Sequence, residues 1–295
     1  MGEYILISPV RNEARNIEAT LQSVTRQTRK PLVWVIADDG STDGTPELVN
    51  GFAANHPWIR LVRLADRGYY DLMEAGEIKA FLQGLATVHG IAYDYIGKLD
   101  GDISFDKHYY ERLLLRFAQN PKLGIASGTC WHEEDGRKVM EKVYLQHVRG
   151  AMRIYRKACL DDIGGFVRSL GWDAIDCYKA RMRGWETRSF EDLPVRHHVK
   201  TWTKGGLLHG RRRSGRMEYL IGTHPLFFCA KCLREVGSKP LLISAGALAW
   251  GYLIAWRNRE KRVGDRDVVA FVRKEQMHRI HQSLRVKRLS TPTIS

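Results

Sequence analysis

Between Tyr4 and Gly128 the chain alternates short apolar runs with segments of helical period, and the runs stop abruptly at polar clusters. Residues 4–8, 33–37, 59–64, 93–99 and 124–128 read as strands by length and by their β-branched and aromatic content. Pro9 breaks the first of them, because proline offers no ladder donor. Helical spacing begins at about Asn12 and runs through Ile17, Leu21 and Val24, then recurs over 46–54, 71–89 and 107–119. Such alternation predicts an α/β fold with a mostly parallel sheet covered by helices on both faces.

In an open α/β sheet, ligands bind outside the carboxyl ends of the strands. Three polar clusters stand at such ends: Pro9-Val10-Arg11-Asn12-Glu13, Asp38-Asp39-Gly40-Ser41 and Asp100-Gly101-Asp102. Each alone is also ordinary turn and cap chemistry, and Ser41, Thr42 and Asp43 suit the helix that starts at Pro46. Converging on one edge, they point to a shared ligand site. Asp100 and Asp102 add a charge argument. Residues i and i+2 of an extended segment point the same way, and two carboxylates in one site repel unless a cation lies between them. A hard divalent ion with oxygen ligands, Mg²⁺ or Mn²⁺, meets that need. A solvated turn is the plainer alternative.

The runs Ile7-Ser8-Pro9-Val10-Arg11-Asn12-Glu13, Ile36-Ala37-Asp38-Asp39-Gly40-Ser41-Thr42-Asp43-Gly44-Thr45 and Lys98-Leu99-Asp100-Gly101-Asp102 resemble the family 2 glycosyltransferases in order, spacing and strand-end placement. Those enzymes have the GT-A fold, and the resemblance covers roughly residues 4–200. It implies a nucleotide-sugar donor, UDP- or GDP-linked, with Asp39 bonding the base and Pro9, Arg11 and Glu13 lining the nucleoside pocket. It also implies that Asp100 approaches the ribose or the metal, with Gly101 beside it, and that Asp102 binds the metal bridging the diphosphate. Many family members carry Ala-x-Asn-x-Gly in the following helix, where this chain reads Ile78-Lys79-Ala80-Phe81-Leu82-Gln83-Gly84. Lys79 is there either a donor near the nucleotide or a solvated helix lysine.

In the later half, 150–156 reads as a strand and 157–163 as a short helix. Family members often carry Glu-Asp at the start of the helix that ends in Ala-Arg-x-x-Gly-aromatic. Counting back from Ala180-Arg181 puts Asp173 in the place of that family's catalytic base, with Trp172 replacing the Glu. A positioned carboxylate can take the proton of an attacking hydroxyl, and a helix N-terminus stabilises its charge. A helix cap is the structural alternative for Asp173. Asp176, one turn on, is open between a cap, an ion pair with Lys179 or Arg181, and an acceptor contact. In Val195-Arg196-His197-His198, the histidines are either metal or diphosphate contacts, with His198 the better candidate, or partly buried polar residues. The basic, glycine-rich stretch 200–216 reads as a loop closing over a diphosphate leaving group, or as a merely solvated loop.

The formal net charge is +14, with basic residues crowded into 196–216 and 257–288. Such an excess suits nucleic acid, phosphorylated substrates or an anionic membrane surface. No nucleic-acid motif accompanies it, so nucleic acid is not an expected partner. An amphipathic helix over 219–236 precedes an uncharged run, 240–256. As a helix that run is about 25 Å long, short of the roughly 30 Å hydrocarbon core. Trp250, Tyr252, Trp256 and the basic residues from Arg257 mark its end as membrane boundaries do. The expectation is a helix lying in the membrane plane or re-entering it; a buried core helix or a homo-oligomer face is the alternative. The chain opens on a strand with no secretion signal before it. Its five cysteines, including the Cys229–Cys232 pair, read as free thiols of a reducing compartment. The expected place is the cytoplasm, at the inner face of the cell membrane.

The expected organisation is a catalytic domain over 1–205 (1–128 for the nucleotide sugar, 129–205 for the acceptor). A basic loop with membrane-associating helices follows over 206–262, then a polar helix and disordered tail over 263–295. The expected function is metal-dependent, inverting transfer of a sugar to a saccharide or lipid-linked saccharide in cell-surface polysaccharide synthesis. A rival is transfer to polyprenyl phosphate, an acceptor already ionised and needing no base. A non-catalytic sugar-nucleotide or polyanion-binding module would leave three carboxylate clusters idle.

Overall fold

The computed structural model describes residues 2–65, 76–141, 144–199, 206–237 and 241–289, with 283–289 described by backbone alone. It divides into two compact units: Met1–Ser169 with Lys179–Lys200, and Leu170–Tyr178 with Thr201–Ser295.

The first unit opens with β1 (Tyr4–Val10), α1 (Ile17–Thr25), β2 (Trp34–Asp38), α2 (Thr45–Asn55), β3 (Ile59–Arg63), α3 (Gly76–Ala86) and β4 (Tyr95–Leu99). There follow β5 (Ile103–Phe105), α4 (Tyr109–Gln119), β6 (Leu123–Glu134), β7 (Arg137–Met140), β8 (Met152–Arg156) and α5 (Lys157–Asp162). After α6 (Trp172–Met182), β9 (Glu186–His197) completes the sheet. The strand order is β3-β2-β1-β4-β8-β6-β9-β5, with β7 paired to β6.

Strands β3, β2, β1 and β4 run parallel, as the alternation predicts. The later pairings are antiparallel except β6 with β9, so the sheet is mixed rather than mostly parallel. Every residue of β1, β2 and β4 is buried. This is why these runs are apolar on both faces instead of alternating. Buried Trp34 gives its Nε1–H to Ser8 Oγ at 2.8 Å, so its polar edge is satisfied.

Pro9 does not break β1, which continues through it to Val10 with Pro9 opposite Ala37. The amides of Leu6 and Asp39 show which residues of β1 bond toward β2: Leu6 donates to Val33 O and Val10 O accepts from Asp39. Pro9 therefore turns its nitrogen toward β4, whose register with β1 has already ended at Ile7 opposite Lys98. No ladder donor is lost there. Helix α1 starts later than expected because Asn12 adopts a left-handed φ of 53° and residues 11–16 form turns. Of the helix expected over 71–89, residues 71–75 lie outside the described residues.

The second unit carries α7 (Leu207–Leu220), α8 (Pro225–Glu235), α9 (Ile243–Arg257) and α10 (Arg266–Leu289). The expected basic loop is, from Leu207 onward, helix α7; its 200–205 portion lies outside the described residues. Likewise 219–236 is not one helix, since the chain turns between Leu220 and Pro225 through Gly222 at φ 79°. The expected disorder of 290–295 lies outside the described residues. A Cβ on Gly215 would run into the Leu248 carbonyl, and one on Gly251 into the Arg212 carbonyl, so α7 and α9 meet backbone to backbone. Only glycine permits that approach. Phe228 of α8 stacks on Tyr252 of α9 at 4.2 Å. The His224 N–H donates to Gln276 Oε1 at 2.8 Å, tying α10 to the start of α8. Among the described residues, no helix is long and apolar enough to cross a membrane.

Candidate active site

In the sheet, β1 has β2 on one side and β4 on the other, all parallel. The strand order reverses at β1, and a crevice opens at the carboxyl ends of such a pair. Val10, Asp38 and Leu99 end these three strands, so the three polar clusters fall on one edge of one unit.

The first two clusters interlock. Ser41 Oγ accepts the Asn12 N–H at 2.9 Å, and Asn12 Oδ1 accepts the Thr42 N–H at 2.8 Å. Glu13 N–H goes to Thr45 Oγ1 at 2.9 Å, and Ala14 N–H to Asp43 Oδ2 at 3.0 Å. Asp43 also accepts the Thr45 N–H at 3.0 Å, but the N-cap of α2 is Gly44 and no side chain caps the helix, so the expected cap is not Ser41, Thr42 or Asp43. Burial opposes its charge, but these bonds hold the Asp43 carboxyl below the usual range. Much of the Ser-Thr-Asp run is therefore architecture. Asp39, Pro9 and Glu13 are buried beside it, and the Arg11 guanidinium donates to the Asp39 carbonyl. Asp38 is fully buried, with Oδ1 accepting the Ser41 N–H at 3.0 Å and Oδ2 facing Arg63 Nε at 3.6 Å.

At the third cluster the strand ends at Leu99, and Asp100-Gly101-Asp102 is a turn rather than the extended segment expected. The two carboxylates have different partners. Asp100 accepts from the wholly buried Lys98 ammonium at 2.5 Å, and Lys98 also pairs with Glu77 of α3. Burial works against the charge on Lys98, but Asp100 and Glu77 more than compensate and lift its pKa above the ordinary lysine range. Burial pushes the Asp100 carboxyl up, to about 7, against the pull of Lys98 and with the push of Glu77 and Asp102. Gly101 packs so closely that a Cβ there would lie 3.1 Å from Val10 Cγ1 and 3.3 Å from Glu13 Cγ. It joins the β4 turn to the β1 cluster.

Asp102 is buried, with Oδ2 3.4 Å from His197 Nε2. His197 Nδ1 faces Glu141 Oε1 at 3.7 Å, and Glu141 pairs in turn with Arg149. Burial disfavours the imidazolium, yet hydrogen bonds to Asp102, Cys130 and Glu141 push His197 up to about 12. It is His197, opposite Ile103 in the β5–β9 register, that meets the Asp102 carboxylate. His198, the histidine expected there, gives its backbone N–H to the Asp102 carbonyl at 2.9 Å and sets its ring nitrogen 2.8 Å from Ser104 Oγ. Burial and nearby Arg196 hold its pKa below the usual imidazole range.

Lys98, Glu77, His197 and Glu141 were not singled out from sequence. A lysine inside an apolar strand just before Asp100 is a signal for the first. Nothing local marks Glu141, which arrives just past β7. Lys79 is half-buried on α3. Asp173 lies in the second unit, in the first turn of α6, half-buried and accepting the Ala174 N–H at 3.0 Å. Asp176 is fully buried.

Asp102 and Asp100 supply carboxylate oxygens of the kind a hard divalent ion takes, beside the positive charge on His197. Among the described residues, the group of three possible ligand atoms lying within 4.8 Å of one another is that of Cys130, Glu141 and His197. A thiolate suits softer ions than Mg²⁺.

A family model described as glycosyl transferase family 2 matches residues 5–168. The poly-beta-1,6-N-acetyl-D-glucosamine synthase of Staphylococcus aureus (strain COL) is 24% identical over 224 residues, covering 68% of this chain and 51% of that protein. The chain thus spans about half the length of the curated relatives it matches. Among solved structures, the mannosyltransferase PcManGT from Pyrobaculum calidifontis in complex with GDP-Man and Mn²⁺ superposes with a TM-score of 0.55 at 19% identity, covering 97% of this chain and 82% of that one. S. aureus TarS 1-349 gives 0.53 at 16% identity, covering 85% of this chain and 70% of that one.

Proposed function

The chain belongs to glycosyl transferase family 2, and from that membership we propose a metal-dependent transferase that inverts a sugar while moving it from a UDP- or GDP-linked donor to a saccharide or lipid-linked saccharide. The fold is the GT-A fold of glycosyltransferases. The observation that carries the proposal is the meeting of three strand-end clusters at the β1–β4 switch point. A TM-score of 0.55 to a GDP-Man and Mn²⁺ complex supports the ligand class.

In this reading Pro9, Arg11 and Glu13 line the nucleoside pocket and Asp39 accepts a hydrogen bond from the base. Lys98 holds Asp100 in place, leaving its second oxygen to the ribose or the metal. Lys79, on the same helix as Glu77, would offer its ammonium to the donor phosphates. Asp102 and Asp100 would hold Mg²⁺ or Mn²⁺, with His197 the nearer imidazole and His198 braced on Ser104. When bound, such an ion supplies positive charge to the departing diphosphate. Asp173 takes the proton of the acceptor hydroxyl as its oxygen bonds to the anomeric carbon and the bond to the diphosphate breaks. One such displacement inverts the anomeric centre.

The test is a donor screen. Purified protein is given UDP- and GDP-sugars, saccharide or polyprenyl-phosphate acceptors, and Mn²⁺, Mg²⁺ or chelator, and nucleotide release is followed. Release that needs a divalent ion and a saccharide acceptor is the expected result. Transfer to polyprenyl phosphate alone would replace the acceptor class, and no turnover of any donor would overturn the reading.

A further inference from the structure

Helices α8 and α9 carry large apolar side chains on their outer faces. On α9, Ile243, Trp250 and Leu253 are each at least half exposed, and their spacing of seven and three residues sets them on one stripe. The face packed on α7 is built instead from Ser244, Ala245, Leu248, Gly251 and Ala255. Leu241 and Leu242 before the helix and Trp256 near its end are more than 60% exposed. On α8, Leu226 and Leu233, seven residues apart, are 60% and 73% exposed. An ordinary surface helix has the reverse arrangement, and a continuous outward apolar stripe marks a surface that something covers.

Charge indicates what covers it. Residues 201–295 hold 19 Lys and Arg against six Asp and Glu, which is +13 of the chain's +14. The α9 stripe runs into Arg257 on the same face and then into Arg259, Lys261 and Arg262, all four of them exposed. An open recess of about 490 Å³ is lined by Lys261, Arg262, Arg266 and Arg273, with Asp265 the one carboxylate on its wall. That carboxylate is occupied capping α10 through the Val268 N–H at 2.9 Å. A second copy would bring like charge against like charge. An anionic bilayer offers an acyl boundary for the stripe and phosphates for the basic rim together.

We propose that the helical unit is a peripheral anchor for anionic membranes. Helix α9 lies in the interface plane with Ile243, Trp250 and Leu253 inserted, and Arg257, Arg259, Lys261 and Arg262 sit among the headgroups. Its 15 residues span about 22 Å, too short to cross a hydrocarbon core of roughly 30 Å. The anchor stands apart from the sugar-transfer reading and survives the failure of that reading.

The test is sedimentation of the full chain with phosphatidylcholine vesicles, with and without phosphatidylglycerol, at low and high salt. Binding should require the anionic lipid and weaken as salt rises. Trp250→Glu with Leu253→Glu should lower partitioning about tenfold or more per residue, with the circular dichroism spectrum unchanged. Arg257→Gln with Lys261→Gln should lower it about fivefold per residue and flatten the salt dependence. Brominated lipid should quench wild-type fluorescence more than that of Trp250→Phe. Failure to bind any vesicle overturns the proposal. So does a dimer in light scattering that the Trp250→Glu, Leu253→Glu chain dissociates.

Discussion

At the end of β4 the molecule buries charge, and along α9 it exposes apolar surface. Lys98, Asp102 and His197 sit in the sheet unit with almost no access to water, whereas Trp250 and Leu253 face outward over a packed seam of glycine, alanine and serine. Each region departs from the usual partition of residues, and each departure costs stability. The two costs differ in kind. Buried charge is held by specific partners, so losing one partner strands the others. Exposed apolar surface has no partner within the fold, so the fold loses little when it is cut away, and its use lies outside the chain.

Breaking the charged region should give the largest effects. Asp102→Asn keeps the shape and removes the negative charge facing His197, so transfer should fall below detection, as it should on chelation. Assays of nucleotide release with and without Mn²⁺ check this, and full activity in chelator would remove the metal from the mechanism.

Lys98→Met leaves Asp100 and Glu77 without their cation. Breaking a buried pair costs roughly 3–5 kcal/mol, and the low end applies because Glu77 is about one-third exposed and screened by water. A denaturant midpoint lowered at constant slope is the readout. An unchanged midpoint would mean that the triad is not structural.

Asp173→Asn separates a base from a cap. Asparagine still accepts the Ala174 N–H but cannot take a proton, so kcat should drop by about 10²- to 10⁴-fold with stability near wild type. Near-normal turnover with a saccharide acceptor would move weight to a polyprenyl-phosphate acceptor, which needs no base.

The smallest pair of effects sharpens the contrast within α9 itself. Gly251→Ala adds one methyl against the Arg212 carbonyl and should cost about 1–3 kcal/mol through forced separation of α7 and α9. Leu253→Ala removes far more apolar volume from the outer stripe, yet should change stability by no more than about 0.5 kcal/mol. Thermal melts of the two variants side by side decide the matter, and a Leu253→Ala melt as damaged as that of Gly251→Ala would mean the stripe is packed within the fold.

The sequence alone determined the parallel core of the sheet, the placing of Pro9, Arg11, Glu13, Asp39, Asp100, Gly101 and Asp102 at strand ends, and the family. The first two follow from local periodicity, because a strand–helix alternation allows few topologies and brings its strand ends to one edge; the family follows from the resemblance of the three motif runs. What tertiary structure decided are the choices that periodicity leaves equal. Between two adjacent histidines, only the β5–β9 register chose His197 for Asp102. Pro9 could stay in β1 because β4 had ended beside it, and Glu141 reached His197 from a distant hairpin. The basic stretch after Gly206 became α7 because Gly215 lets α9 pack against its backbone. The run from Ile243 to Trp256 is apolar on nearly every side, so no pattern within it could tell an inner face from an outer one. Contact with α7 made that choice, since at Gly215 and Gly251 the two backbones come so close that no Cβ fits between them.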